Sequence, residues 1–399
     1  MSNLTIGYAY DKYFTRRNVI GLASDCRYTA VSDRYKYLQR AALLVNKVTR
    51  ANLFNQHDLA NQFHDGPFAK QVSVLHLFNQ VSYGRTPWVV SFETAVPRYR
   101  RLLNCHHGRE PSFAAVADDA AVAKAADALA GIYCKKVIAL SECTRKIEAA
   151  LTAQFPRAHA AICAKTIVQH PPQSRLIGSL AEKESPHSRD IRFLFVGASF
   201  FRKGGRELLE TFQLLKRAHH YPLHLTIVSS LSIDNYATHE TPADQRRARE
   251  LIDANRDWIT YHAQLDNPAV LQLMRKADIG LLPTYADTYG YAVLEFQAAG
   301  CPVITTDIRA MPEINDDRKG WLIGVPKNAL GEAIYTTAAE REQISRAIRT
   351  GLSRCVQEIV TDRNVIAAKA AHALQSIVDK HDPLQIGERL KAIYIEALG

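Results

Sequence analysis

Beyond residue 190 the apolar positions of the chain follow two alternating rhythms. Short apolar runs rich in Ile, Val, Leu and Phe occur at Ile191–Gly197 (IRFLFVG), Leu223–Ser230, Trp258–His262, Ala277–Pro283 and Pro302–Asp307. Such runs predict strands buried on both faces. Between them, Gly205–His219, Pro242–Asn255, Pro268–Lys276 and Gly290–Ala299 carry apolar residues at helical spacing. Strand and helix in strict alternation predict a parallel, doubly wound sheet. The first half reads the same way less sharply, with strands at Leu4–Ala9, Val72–Asn79, Trp88–Glu93, Lys136–Ser141 and Thr166–His170. An Ala-rich helix is expected over about Ser112–Gly131. The stretch His170–Asp190 mixes Pro, Ser and both charges without a period and reads as a linker.

The expected organisation is therefore an α/β chain of two doubly wound domains, 1–170 and 191–383, joined by 171–190. The tail, about 384–399, reads as a short amphipathic helix. Two such domains in tandem leave a cleft between the carboxyl edges of their sheets, suited to a nucleotide on one wall and a second substrate on the other.

Composition narrows the function classes. The chain has 399 residues, 47% hydrophobic and 23% charged, which fits an ordinary folded protein. No apolar run is long enough to span a bilayer, and the N-terminus MSNLTIGYAYDKY lacks a basic-then-apolar leader pattern. The seven cysteines are scattered and form no CxxC pair, so they read as reduced thiols of a cytoplasmic protein rather than a zinc site. The net charge of +10 is uneven: residues 1–170 hold 22 Lys+Arg against 12 Asp+Glu, and the rest hold 28 against 28. The whole excess lies in the first half, which predicts an anionic partner there, such as an acidic membrane surface or a phosphorylated acceptor. The basic residues are dispersed and no zinc-finger or RNP pattern accompanies them, which argues against nucleic acid.

The candidate chemistry lies in the second half. Asp287 and Glu295 are the only charged groups from Tyr285 to Thr305. A lone carboxylate in an apolar segment needs a partner, either a protein donor or a ligand hydroxyl. Asp287 sits in the loop after an apolar strand, just before a helix predicted to start near Gly290. Such a loop is where open α/β sheets take anionic ligands, with the backbone amides of Tyr289, Gly290 and Tyr291 aimed at the site. A second loop follows the strand ending in Gly197. It holds Arg202 and Lys203 just before Gly204-Gly205. A helix dipole disfavours cations at its N-terminus, so a diphosphate explains the pair better than solvent does.

Taken together, FVGASFFRKGG, ADIGLLPTYADTYGYAVLEFQAAGCPVITTD and MPEI followed by GWLI resemble the retaining family-4 nucleotide-sugar glycosyltransferases, which have the GT-B fold of two Rossmann-like domains facing a central cleft. The resemblance covers about Ile191–Val325 and is diffuse before it, and its fold class implies that the tail helix, about 384–399, crosses back onto the first domain. It implies that Glu295 binds the donor ribose, that Asp287 stands at the first position of the family's Glu-x7-Glu element and contacts the transferred sugar, and that Lys203 holds the diphosphate. The family's Arg after the strand glycine is Ala198 here, and Arg202 is expected to supply that charge. A histidine common in the family at the end of an N-domain strand corresponds to Glu93 (PWVVSFET). Glu93 is either a catalytic group near the sugar or a strand-end carboxylate paired with Arg98 or Arg100. His76 (SVLHLFNQ) faces either the cleft or the core. Ser229 and His262 mark the loops expected to read the base.

The implied reaction moves a hexose from a UDP- or GDP-sugar to a hydroxyl of a glycan or lipid-linked glycan, in bacterial surface polysaccharide or lipopolysaccharide synthesis. No Asp-x-Asp pair suits a magnesium ion, so no metal or other cofactor is expected. The protein is expected in the cytoplasm, peripheral on the inner membrane face. A nucleotide-sugar epimerase of related fold and a degenerate, non-catalytic partner subunit stand as alternatives.

Overall fold

The structure is a computed structural model and describes residues 4–9, 19–51, 55–65, 72–183, 190–233 and 235–399. Residues 184–189 of the expected linker lie outside the described residues. The chain divides into two compact units: Met1–His107, Pro111–Pro172 and His381–Gly399 form the first, and Gly108–Glu110 with Gln173–Lys380 form the second.

The first unit has eight strands among the described residues: β1 (Leu4–Ala9), β2 (Cys26–Val31), β3 (Gln62–Phe63), β4 (Val74–Phe78), β5 (Val81–Ser82), β6 (Trp88–Phe92), β7 (Cys134–Ala139) and β8 (Thr166–Val168). Six of them make one parallel sheet in the order β2-β1-β4-β6-β7-β8, and β3 pairs with β5 beside it. Successive side chains point to opposite faces, and the two cores follow that alternation. Leu75, Leu77, Trp88, Val90 and Phe92 face the helices Ala120–Ala130 and Pro156–Lys165. Val74 and Val89 face the other way, onto Ile386, Leu390, Ile393 and Tyr394. Those last four belong to the C-terminal helix Pro383–Glu396, which is therefore a layer of the first unit. Burying each such side chain contributes roughly 1.5–3 kcal/mol.

The second unit carries β9 (Ile191–Val196), β10 (Leu223–Val228), β11 (Ile259–His262), β12 (Ile279–Leu282), β13 (Val303–Thr306) and β14 (Gly320–Ile323). They form one parallel sheet in the order β11-β10-β9-β12-β13-β14. The order runs outward from β9 in both directions, so the strand order reverses between β9 and β12, which pair directly at Phe193 and Ile279. Ligands of doubly wound sheets bind outside the carboxyl ends of the strands at such a reversal.

Several expectations need correction. The expected Ala-rich helix is a short 3-10 turn, Phe113–Val116, and a helix, Ala120–Ala130, because the Asp119 carboxylate accepts from Ala121 and Val122 N–H and starts a new helix there. The crossing between units falls at Pro172/Gln173, within the expected linker, and the return at Lys380/His381, a little before the expected 383. Residues 173–183 are part of the second unit: Leu176 N–H donates to Ala298 C=O at 2.9 Å and the Lys183 ammonium to Gly300 C=O at 3.0 Å. Strands β2 and β14 and the helices Arg34–Thr49, Ala338–Thr361 and Asn364–His381 have no counterpart in the sequence expectations. No disulfide joins any of the seven cysteines. No helix among the described residues is long and apolar enough to cross a membrane.

One buried acid makes the first unit sensitive to pH. Glu148, on the helix Glu142–Thr152, accepts from Val96 N–H at 3.1 Å, and its other oxygen has no hydrogen-bond partner among the described residues. Burial pushes its carboxyl up from 4.5 to about 8. Between those values the unfolded chain binds fewer protons than the fold. The contribution of Glu148 is thus fully present below 4.5 and is lost as pH rises through 8. Glu148→Gln keeps an acceptor for Val96 and cannot ionise. Its melting temperature should rise relative to the parent by several degrees or more between pH 5 and pH 8.5, about what a few kcal/mol produces. A constant difference across that range would show that Glu148 ionises freely in the fold.

Candidate active site

The loops after β9 and β12 meet because a glycine lets them. Gly204 has φ +81°, and a Cβ there would lie 2.1 Å from Pro283 O. That contact brings the carbonyl of Arg202 against the second loop, where it accepts from Tyr285 N–H at 2.9 Å and from the Thr284 hydroxyl at 3.1 Å. Below them, the buried Glu207 carboxylate accepts from Tyr285 Oη (2.8 Å), Ser345 Oγ (2.8 Å) and Arg206 Nη2 (2.9 Å). The rim of the two loops thus rests on a hydrogen-bonded acid on the helix Gly205–His219.

On this rim Lys203 and Asp287 form an ion pair. A Cβ on Gly197 would lie 3.1 Å from Lys203 Cγ, so the lysine stem runs across the end of β9. The second loop accounts for the remaining oxygen of Asp287: it accepts from Tyr289 N–H at 3.2 Å and Gly290 N–H at 3.0 Å. Burial pushes the Asp287 carboxyl up, but the Lys203 ammonium and the two amides outweigh it and hold the group below the ordinary Asp value. Gly290 caps the helix Tyr291–Ala298 with φ +90°, and a Cβ there would lie 2.5 Å from Met311 Cε. Tyr289 is fully buried, its ring 5.1 Å from that of Tyr291. Glu295 is the one acid of this eight-residue helix and is half-buried, while Val293, Leu294, Phe296, Gln297 and Ala298 are buried.

The two expected cations part company. Arg202 Nη2 donates to Ser199 Oγ at 2.8 Å, and its guanidinium lies 5.3 Å from the Tyr236 ring centroid, whereas Lys203 turns to Asp287. No signal in the sequence marks Tyr236. Glu207 was equally hidden: its role depends on Tyr285 and Ser345, distant in sequence, arriving at one point.

The remaining expected residues sort by their partners. Ser229 O–H donates to Gly197 C=O and Ser229 N–H to His262 C=O, so Ser229 ties the ends of β9 and β11 together. His262 closes β11 and is half-buried. In the first unit Glu93 follows β6 directly and is only 2% exposed. Its Oε1 lies 3.4 Å from Arg98 Nη1, and its N–H donates to Asn79 Oδ1 at 3.2 Å. Of the two readings of Glu93, the Arg98 pair is the one the side-chain geometry contains.

His76 corrects the cleft reading. On β4 it shares the face of Val74, and on β6 Ser91 shares the face of Val89, the face covered by the C-terminal helix. Its Nδ1 bonds Tyr394 Oη at 2.7 Å and its Nε2 bonds Ser91 Oγ at 2.8 Å. Burial lowers its pKa to about 3, so it is a neutral core histidine.

The geometry defines a class first: a tandem of parallel, doubly wound units whose second member presents an ion-paired, glycine-framed rim at its strand-order reversal. The comparisons agree. Residues 190–340 match the family model for "Glycosyl transferases group 1". A D-inositol 3-phosphate glycosyltransferase of Arthrobacter sp. (strain FB24) is 31% identical over 165 residues, 39% of this chain and 37% of that protein. The chain spans less than half the length of the curated relatives it matches. Among solved structures, a glycosyltransferase from Rickettsia africae ESF-5 superposes with TM-score 0.60 at 14% identity, covering 100% of this chain and 99% of that one. WaaG, a glycosyltransferase involved in lipopolysaccharide biosynthesis, gives 0.56 at 16% identity, covering 99% and 100%. The chain has the fold of the GT-B glycosyltransferases, and residues 190–340 of its second unit match the group 1 glycosyltransferase model.

Gly204→Ala tests the framing of the rim. It imposes left-handed backbone on a residue with a Cβ and drives that Cβ into Pro283 O. A loss of more than about 2 kcal/mol is expected in chemical denaturation, larger than an ordinary Gly→Ala change. A neutral result would mean that the two loops are not in contact.

Proposed function

We propose that this chain transfers a hexose from a nucleoside-diphosphate sugar to an acceptor hydroxyl with retention at the anomeric carbon, as family-4 enzymes do. The observation that carries the reading is the Lys203–Asp287 pair set on the N-terminal loop of the helix Tyr291–Ala298. Lys203 stands where a diphosphate oxygen would meet both an ammonium and the positive end of a helix. A diphosphate that takes Lys203 leaves Asp287 an oxygen with which to accept from a sugar hydroxyl. Glu295, four residues into the helix, accepts from the ribose hydroxyls.

As the bond between the anomeric carbon and the diphosphate oxygen breaks, its electron pair goes to the leaving diphosphate, the acceptor oxygen bonds the anomeric carbon, and the acceptor's proton passes to the departing diphosphate oxygen. Lys203, Arg202 and the helix amides near Tyr291 stabilise that charge electrostatically. With two cations assigned to the diphosphate, we propose that no metal or other cofactor is required. Swinging Arg202 from Tyr236 towards the phosphates is part of this reading. Glu93, engaged by Arg98, is assigned to positioning on the acceptor side rather than to proton transfer.

The acceptor is assigned to the first unit, where nearly all of the excess positive charge lies. An anionic acceptor suits it, a phosphorylated or lipid-linked glycan of a surface polysaccharide or lipopolysaccharide at the inner face of the cytoplasmic membrane. The inositol phosphate in the name of the Arthrobacter relative supports an anionic acceptor. UDP and GDP are the candidate leaving groups.

Two measurements test the donor assignment. A nucleotide at 100 times its dissociation constant stabilises by about 2.7 kcal/mol. One of UDP, GDP, ADP, CMP or TDP should therefore raise the melting temperature by a few degrees, equally with Mg²⁺ and with chelator. Lys203→Ala and Glu295→Ala should each weaken that nucleotide by about tenfold or more, or 1.4 kcal/mol. Wild-type affinity in both variants would place the donor elsewhere. Turnover of the sugar nucleotide to an epimer without an acceptor would replace transfer by epimerisation.

A further inference from the structure

The helix Arg34–Thr49 of the first unit is amphipathic the wrong way round for a helix packed on a sheet. Its one buried residue is Ala42, and the half-buried positions beside it are Tyr35, Gln39 and Asn46. Its large apolar residues point outward: Tyr37 is 63% exposed, Leu44 65% and Val48 75%, with Leu38 and Val45 exposed alongside. At 3.6 residues per turn, Tyr37, Ala41, Leu44 and Val48 fall in one stripe, flanked by Leu38 and Val45 on one side and by Arg40 and Lys47 on the other. Six of the fourteen large hydrophobics exposed among the described residues lie on this single helix, so the patch is local and not general surface apolarity.

Charge identifies what covers the stripe. The helix and its cap carry Arg34, Lys36, Arg40, Lys47 and Arg50, and no Asp or Glu occurs from Arg34 through His57. A protein partner with an apolar groove would not require an acid-free, five-cation border, whereas an anionic lipid surface supplies both an acyl boundary and a layer of negative charge. The helix is held at its start: the Asp33 carboxylate accepts from Tyr35 N–H at 2.9 Å and from His64 N–H at 3.1 Å, and Arg34 N–H donates to His64 C=O at 3.1 Å. Its orientation is fixed before any surface is met, which lowers the cost of docking.

We propose that Arg34–Thr49 lies in the plane of an anionic membrane, with Tyr37, Leu44 and Val48 in the acyl boundary and the basic residues at the phosphates. This deepens the membrane-side acceptor reading by naming the contacting element, and it rests on the first unit alone, independent of the donor site.

The test is vesicle flotation of the full chain with phosphatidylcholine alone and with roughly 30 mol% phosphatidylglycerol added. Binding to the anionic vesicles should exceed binding to the neutral ones by at least tenfold. Leu44→Glu/Val48→Glu should abolish it, and Arg40→Glu/Lys47→Glu should weaken it by at least tenfold. The matched control Ile132→Glu/Leu384→Glu, which adds the same charge at positions 78% and 80% exposed, should bind as the parent does. Equal binding to neutral and anionic vesicles, or parent-like binding by Leu44→Glu/Val48→Glu, overturns the proposal. So does a parent that sediments as a dimer in solution and becomes monomeric in Leu44→Glu/Val48→Glu without vesicle binding in either. The nucleotide-induced melting shift of Leu44→Glu/Val48→Glu separates the two proposals, because it persists if the donor site is correctly placed whether or not the membrane contact is.

Discussion

The second unit depends on the contact between Gly204 and the carbonyl of Pro283. Everything that makes its rim chemically interesting follows from two loops, each leaving a neighbouring strand at the reversal of strand order, being able to touch backbone to backbone. A side chain at 204 would force the two loops to shift, and the donors to the Arg202 carbonyl and the Lys203–Asp287 pair both span that contact. The glycine contributes no contact of its own. Its value lies in the left-handed backbone and the missing Cβ.

The buried carboxylates show how differently one functional group is accommodated. Glu207 is satisfied by three donors and serves as a fixed support for the rim. Asp287 is held by an ammonium and two amides, a set of partners that an incoming anion and a sugar hydroxyl replace between them in the proposed reaction. Glu93 is paired with Arg98 at the end of β6. Among the described residues Glu148 has one amide and no cation, so the fold keeps its proton instead. Between Asp287 and Glu148, pairing and hydrogen bonding decide which carboxyl is held down and which is pushed up, because burial pushes both upward.

Two helices of the first unit treat apolar residues in opposite ways. The C-terminal helix sends Ile386, Leu390, Ile393 and Tyr394 into the sheet, and its tyrosine fixes His76 in the core. The helix Arg34–Thr49 keeps small and polar residues inward and presents Tyr37, Leu44 and Val48 to the outside. Within one domain the same helical periodicity thus serves folding in one element and an external surface in the other.

Periodicity along the chain determined much of the second unit. The apolar strands and intervening helices from 191 to 306 lie within a residue or two of where alternation puts them, because strands covered on both faces leave an unbroken apolar signature. The isolation of Asp287 and Glu295 in an apolar stretch and the cations before Gly204-Gly205 were likewise readable, since these are local anomalies. The first unit was less legible: β2 carries Arg27 and Thr29 and lies at the edge of its sheet, and the helix Arg34–Thr49 lacks an inward apolar face. The side on which a strand residue ends up is not a local property. His76 became a core group because the C-terminal helix, more than three hundred residues later, covers its face of the sheet. Arg202 and Lys203, adjacent in sequence, took different partners because Tyr236 and Asp287 arrive from separate loops. Sequence by itself set the elements and the residue types with reactive potential. Only the tertiary structure assigned their partners, because hydrogen bonds and ion pairs act over a few ångströms between groups that the chain brings together from far apart.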